Sequence, residues 1–347
     1  MLYFAQVRNI CGLTLAALSL AVPAISQAPS RYTFIDLGTL GAGYSVGYAI
    51  NNSGQVAGFA AVIDDSRHHA VRWTGTTITD LDAPNALDSE GKAINAQGQV
   101  AGWSHFAGAF PMRAALWTGT KVTELGTPNG TENSAHAVNA SGQVAGNSHT
   151  KGDVDYHAVR WTGTTATELD SLGGTFSGGE AINKSGQVAG YAATKGEGVV
   201  HAVRWTGAKC ADLGTLGGRR SYGNAINDSG QVAGEAWTKK DAAKHAALWT
   251  GSRIADLGAL RGADSTAYGI NASGAVVGVS DTKKGVKAAF LYQHGRMIDL
   301  NTLLPKGSPY HLSAARGIND KGWITGQATI GNEIHAYILK PNAGTGR

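Results

Sequence analysis

Charge is scarce in this chain: charged residues make up 16% of the 347, where soluble domains usually carry about 25%. The formal net charge is only +4, and the Lys and Arg residues are scattered. A nucleic-acid binder concentrates basic charge on one surface, so that class is excluded. The mild basic excess is compatible with an anionic polysaccharide or a bacterial surface. Cysteine is nearly absent: Cys11 falls in an N-terminal leader, which leaves Cys210 alone and the mature chain without an internal disulfide. Stability must then come from the core. The chain offers no spaced Asp/Asn calcium loop, no His-Glu-x-x-His and no Cys pair, so no metal or cofactor is expected. No serine nucleophile elbow is expected either, and Asp64-Asp65 reads as a solvated loop pair. Runs of strong helix formers are also missing. Glycine, by contrast, fills 49 positions, about twice its usual ~7% share, which points to short strands joined by tight turns.

Residues 1–26 read as a signal peptide. Arg8 supplies the positive start, Ile10 to Val22 form a 13-residue apolar stretch, and Ala24-Ile25-Ser26 places small residues at a cleavage site. Thirteen residues are too few to span a bilayer comfortably; a short membrane anchor is the other reading. The expected location is outside the cytoplasm, in the periplasm or beyond the cell, with no membrane span in the mature chain.

Self-comparison gives the dominant signal. Ala49-Ile50-Asn51-Asn52-Ser53-Gly54-Gln55-Val56-Ala57-Gly58 recurs with its asparagine at Asn95, Asn139, Asn183, Asn227, Asn271 and Asn319, at intervals of 44 residues and finally 48. His69-Ala70-Val71-Arg72-Trp73 keeps step, with Trp117, Trp161, Trp205 and Trp249, then Tyr292 and Leu339. A third landmark, Thr79-Asp80-Leu81, also precedes the first repeat as Ile35-Asp36-Leu37.

Each unit divides into four short strands: a from about Ser45 to Ile50, b from Gln55 to Ala60, c from His69 to Trp73, d from Thr77 to Leu81. Asn51-Asn52-Ser53-Gly54 is good hairpin chemistry, because Asn bonds its own backbone and Gly takes positive φ at no steric cost. The mature chain starts on a lone d strand, Thr33 to Leu37, and finishes on a c strand, His335 to Leu339, with no d strand after it. The first strand therefore has a vacancy waiting in the last unit, and filling it ties a ring shut. The expected fold is all-β: a seven-bladed β-propeller of four-stranded antiparallel blades, closed by the N-terminal strand. The domain should cover 31–340, with 341–347 a short tail.

The residues resemble the HAF-repeat family of bacterial extracellular proteins. The shared pattern is His-Ala-x-x-Trp, then Asp-Leu-Gly-Thr-Leu-Gly-Gly as at Asp212 to Gly218, then Ala-Ile-Asn-x-Ser-Gly-Gln-Val-Ala-Gly. It covers about 31–340. No copy reads His-Ala-Phe literally: His157-Ala158-Val159 and His201-Ala202-Val203 are typical, and the second and sixth units have Arg113-Ala114-Ala115 and Ala288-Ala289-Phe290. The resemblance implies secretion and repeat architecture, and brings no catalytic residues.

Residues repeated in every unit should be structural, since one binding event rarely needs seven identical sites. The repeated His is expected to bond between blades, and the repeated Trp to pack between them. Function should sit where the units disagree. Three residues before each repeat asparagine stand Tyr48, Lys92, His136, Glu180, Asn224, Tyr268 and Arg316. On innermost strands these seven would ring a central channel, either as a polar binding site or as a wet channel that tolerates any polar residue. The b–c connections form the other variable set, with Trp103, Phe106, Phe110 and Trp237 as stacking groups on loops. The expected function is a binding or recognition module for a carbohydrate, an envelope component or a protein partner. The competing class is an enzyme, a polysaccharide lyase or other glycan-active protein, in which Lys92 or Arg316 neutralises a uronate carboxylate and Tyr48 or His136 moves the proton.

Overall fold

The computed structural model describes residues 32–63, 67–82, 87–106, 111–195, 198–283 and 285–342. The predicted leader 1–26, Asp64-Asp65, Phe110 and the last five residues lie outside the described residues.

Twenty-eight strands and two short 3-10 turns are present among the described residues. The strands follow the repeat. In unit 1, strand a (Gly41–Ile50), b (Gln55–Val62), c (His68–Thr74) and d (Thr77–Asp80) pair antiparallel in sequence order. Units 2 to 6 repeat that order. The strands run somewhat longer than the sequence suggested, because the residues flanking each predicted core continue the ladder. Each a–b link is pinned from within: Asn51 Oδ1 accepts the backbone N–H groups of Ser53 and Gln55, both at 3.0 Å, and Gly54 takes φ +82°.

The chain ends meet as their strand inventory predicted. Tyr32–Asp36 pairs antiparallel with the last strand, Glu333–Pro341, in the register Tyr32 to Pro341 and Asp36 to Tyr337. That last strand runs one residue past the predicted domain end, and Thr33 Oγ1 donates to Asn342 Oδ1 at 2.6 Å. Unit 7 is thus completed by the N-terminal strand.

Successive units are stitched by the repeated residues. Asn51 Nδ2 donates to the carbonyl of Asn95 at 3.0 Å, and each later asparagine repeats the bond to the next unit. Asn319 then donates to Asn51 at 2.9 Å, so the series returns to its start. A second stitch runs from the c-strand N–H of Ala70 to Ser89 Oγ at 2.7 Å, and Ala336 to Ser45 repeats it between the last unit and the first.

The core lies between units rather than inside one. Trp73 and Val71 pack with Leu37, Ala336 and Ile338 of unit 7, while Trp161 and Val159 pack with Ala101, Ala114 and Leu125 of unit 2. Trp161 Nε1 donates to the Gly126 carbonyl at 2.7 Å, which satisfies the indole in a site fully removed from water. The tryptophans are therefore packing anchors across the unit boundary, as their repetition implied.

Candidate functional site: a variable mouth built on seven bulges

Strand a carries an irregularity in every unit. In unit 1 Gly47 pairs with Gly58 and Ala49 pairs with Ala57, which leaves Tyr48 opposite nothing. The same slip leaves out Lys92, His136, Glu180, Asn224, Tyr268 and Arg316. Each predicted ring residue is thus the extra residue of a β-bulge, a device that re-aims a side chain out of the pleat. The glycine of Val-Ala-Gly makes room for it: a Cβ on Gly58 would collide with the Val46 carbonyl, and every unit repeats this fit.

The ring residues meet their neighbours. Lys92 Nζ stands 4.2 Å from the centre of the Tyr48 ring, and the Arg316 guanidinium lies 5.7 Å from Tyr48 and 4.5 Å from Tyr268. His136 Nδ1 is 3.1 Å from Glu180 Oε2. Asn224 Nδ2 donates to the Ala267 carbonyl of the next unit at 2.9 Å. All seven are partly buried.

A second variable tier was missed by the sequence reading. The b-strand residue after Val-Ala-Gly is Phe59, Trp103, Asn147, Tyr191, Glu235, Val279 and Gln327 in turn, and it pairs with the a-strand residue two before the bulge. The signal was available: this position differs in every unit just after an invariant glycine. The tier joins the ring through Phe59, whose ring centre is 5.7 Å from that of Tyr48. From Phe59 the contacts run to His68 at 4.8 Å, Trp103 at 5.9 Å and His105 at 5.4 Å. A separate arc links Tyr156, Phe176, Tyr191, Tyr222 and Trp237 with spacings of 5.0 to 6.3 Å.

Three corrections follow. Trp103 and Trp237 belong to b strands, Val100–Ser104 and Val232–Thr238, and not to loops, because c-strand residues pair alongside them. Phe106 packs against the core cluster of Ala57, Leu81 and Trp117, so it anchors its connection instead of presenting a stacking face. The repeated His bonds within its own unit: His69 Nδ1 lies 2.8 Å from Asp80 Oδ2, and His201 pairs likewise with Asp212. The neighbouring d strand offers an acid nearer than any other unit does. Two histidines reach further: His157 Nε2 lies 3.2 Å from the Thr175 carbonyl of the next unit, and His335 pairs with Asp36 at 2.8 Å because its d strand is N-terminal.

One Gly-x-Ser-x-Gly string does occur, at Gly43-Tyr44-Ser45-Val46-Gly47. It lies inside strand a, not at a strand-to-helix turn, and Ser45 is buried with its hydroxyl donating to Gly38 and accepting from Ala336. It is a stitch and not a nucleophile.

Most charges of the mouth are neutralised in place. Glu90 receives His68 Nε2 at 3.2 Å and Lys92 Nζ, and Glu235 receives Lys244 Nζ at 2.9 Å. Burial opposes ionisation of Glu180, but His136 and, more distantly, Lys92 outweigh it and hold the carboxyl below its usual range. Burial, then the Glu90 charge, pushes the Tyr48 phenol far above its ordinary value; burial and Glu180 do the same to Tyr191. Among the described residues no group of three or more His, Cys, Asp or Glu is arranged to hold a metal.

The opposite mouth is uniform. The asparagine turns enclose a cavity of about 240 Å³ lined by Ile50, Ile94, Asn227, Asp228, Asn319 and Asp320. Its polar groups are used up between units: Asp320 accepts from Ala272 N at 2.9 Å and from Asn52 Nδ2 at 2.8 Å.

No known family profile matches the chain, and no curated protein matches it in sequence. Solved structures match in shape. The chain is similar to YCF48, solved bound to D1 peptide, at 12% identity over 91% of this chain and 97% of that one, with a TM-score of 0.51. A gluconolactonase from Xanthomonas campestris matches at 10% identity over 90% and 91% of the two chains, with a TM-score of 0.45. TolB from Acinetobacter baumannii matches at 10% identity over 60% of this chain and 53% of that one, so the chain spans about half of TolB, with a TM-score of 0.45. These are propeller proteins, and the YCF48 likeness assigns the chain to their all-β fold class.

Proposed function

We propose that the chain is an exported, HAF-repeat-type seven-bladed β-propeller that acts as a binding and recognition module for a carbohydrate, an envelope component or a protein partner. One observation carries this reading: two tiers of unit-specific side chains converge on one mouth, while the residues shared by all units are consumed in stitching the scaffold. The asparagine series that returns to Asn51, and the N-terminal strand seated in unit 7, support a closed ring of seven blades. The leader residues support export, and no helix among the described residues is long and apolar enough to cross a membrane. YCF48, of similar fold, holds a peptide, which is a precedent for a protein partner.

The lyase alternative asks Tyr48 or His136 to move the proton and Lys92 or Arg316 to neutralise the carboxylate. The Tyr48 phenol is held in the neutral form by burial and by Glu90, His136 faces Glu180 at 3.1 Å and Lys92 is committed to Glu90, which favours binding over proton abstraction. The test is a glycan-array and peptide-array screen of the mature protein, followed by His136→Ala, Glu180→Ala and Trp103→Ala. Binding should fall while the melting temperature stays near that of the parent. Full binding in all three variants would place the site elsewhere.

A further inference from the structure

Around the variable mouth, Lys92, His136 and Lys244 each face a carboxylate, in Glu90, Glu180 and Glu235. Arg316 differs. Among the described residues no carboxylate lies within 4.0 Å of its guanidinium, and its Nε is removed from water with no acceptor. It is held instead by two aromatic faces, Tyr268 at 4.5 Å and Tyr48 at 5.7 Å. Units 6 and 7 place Val279 and Gln327 where other units have Phe59, Trp103 or Tyr191, and Ala314 where unit 2 has Glu90. A partly buried cation without a counter-ion is costly, and a ligand that supplies the anion removes that cost.

We propose that Arg316 is the carboxylate-binding subsite for an acidic saccharide, a deepening that rests on the binding-module reading above. The guanidinium is a planar fork whose paired N–H groups match the two oxygens of a carboxylate. Tyr268 and Tyr48 flank it, at 4.5 and 5.7 Å. Tyr48 is joined to His68 and Trp103 through Phe59, which is 5% exposed and so backs its neighbours rather than facing a ligand. The partly buried Tyr268, Tyr48 and Trp103 leave aromatic surface for the C–H faces of sugar rings, one of which carries the acid. An acidic peptide would need backbone donors and acceptors there, which side-chain rings do not provide.

Calorimetric titration of the whole protein with trigalacturonate, with its carboxyl-reduced neutral counterpart and with a tri-aspartyl peptide tests this. Trigalacturonate should bind at least 10-fold more tightly than the other two. Arg316→Gln should weaken it about 10- to 100-fold, the range of one lost charge-assisted pair, and leave the neutral sugar unchanged. Arg316→Lys should fall between, since an ammonium cannot fork. Arg316→Gln should lower the melting temperature only slightly, because it gives up two cation–π contacts but no ion pair. Equal affinity for acid and neutral sugars, or an Arg316→Gln variant that binds as the parent does, overturns the subsite while the module reading stands. Preference for the peptide overturns the saccharide. No binding of any probe overturns the inference, and the module reading fails with it only if the array screen is also empty.

Discussion

The seam between the chain ends offers the sharpest test of the architecture. Consider a chain that begins at Gly38 and so lacks the strand Tyr32–Asp36 and Leu37. Leu37 is 3% exposed and Tyr32 8% exposed, and each such side chain contributes about 1.5–3 kcal/mol by burial. Phe34 and Ile35 are half-buried and add about one further such unit between them. Trp73 Nε1 loses its acceptor, the Leu37 carbonyl at 2.8 Å, and an unsatisfied buried donor costs about 1–3 kcal/mol. The sum, about 5.5–12 kcal/mol, rivals the ~5–15 kcal/mol that stabilises a whole domain. The deletion should also bare the edge of Glu333–Pro341, and an unpaired edge recruits other chains. The truncated protein is therefore expected to aggregate, or to unfold in urea at a much lower midpoint, read by tryptophan fluorescence and by elution volume. Because Tyr32 pairs with Pro341, the same six residues can be rejoined after Asn342 through a two-residue turn, which recreates the c–d hairpin of the other six units. That permuted chain should regain most of the lost stability. A deletion that melts like the parent, or a permutation that rescues nothing, would refute the seam.

Much of this was legible because the repeat states each rule seven times. Asn51 to Gly54 announced the hairpin, and the unmatched strand at each end announced their pairing. The seven odd residues in strand a were also visible as one recurring position. What stayed hidden was why they leave the pleat. Alternation in a plain strand would have set Tyr48 against Ala57 or Gly58, and only the observed register shows it left out as a bulge. The glycine of Val-Ala-Gly encodes that bulge by the collision its Cβ would cause, a close approach between backbones that no pattern of hydrophobicity reports. The second tier was overlooked for a related reason. In unit 1 strand b reads past its glycine, to Ala60, yet the varied residues after the glycine in other units read as part of the connections. Trp103 and Trp237 therefore seemed to lie on loops, whereas cross-strand partners Ala114 and Lys244 carry the ladder past them. The histidine pairing was unreadable because strands c and d of one unit and the strands of the next offer acids at comparable distance in sequence; the register alone chose Asp80 for His69.

Three further outcomes are expected. Trp161→Ala should cost about 3–5 kcal/mol in chemical unfolding and leave ligand specificity intact, since the indole fills a site between units and not the mouth; lost binding at full stability would contradict that placement. Gly190→Ala should cost about 1–3 kcal/mol, because its Cβ would meet the Gly178 carbonyl at the bulge that aims Glu180, and a variant that melts with the parent would show that the bulge yields freely. The last concerns Asp82, just beyond strand d of unit 1. Burial pushes its carboxyl up to about 6 from 3.8, and the hydrogen bond from Ser89 Oγ offsets that only in part. A carboxyl whose folded pKa exceeds its unfolded value holds its proton more tightly in the native state. Its contribution to stability is therefore fully present below about 4 and is lost as pH rises through about 6, up to about 3 kcal/mol for a shift of two units. Asp82→Asn keeps the neutral shape at every pH. The urea midpoint of the variant, relative to the parent, should climb between pH 4.5 and pH 7.5 and level off above. A difference between parent and variant that does not change with pH would mean that Asp82 is charged in the native protein throughout, and that its site is not as dry as its surroundings indicate.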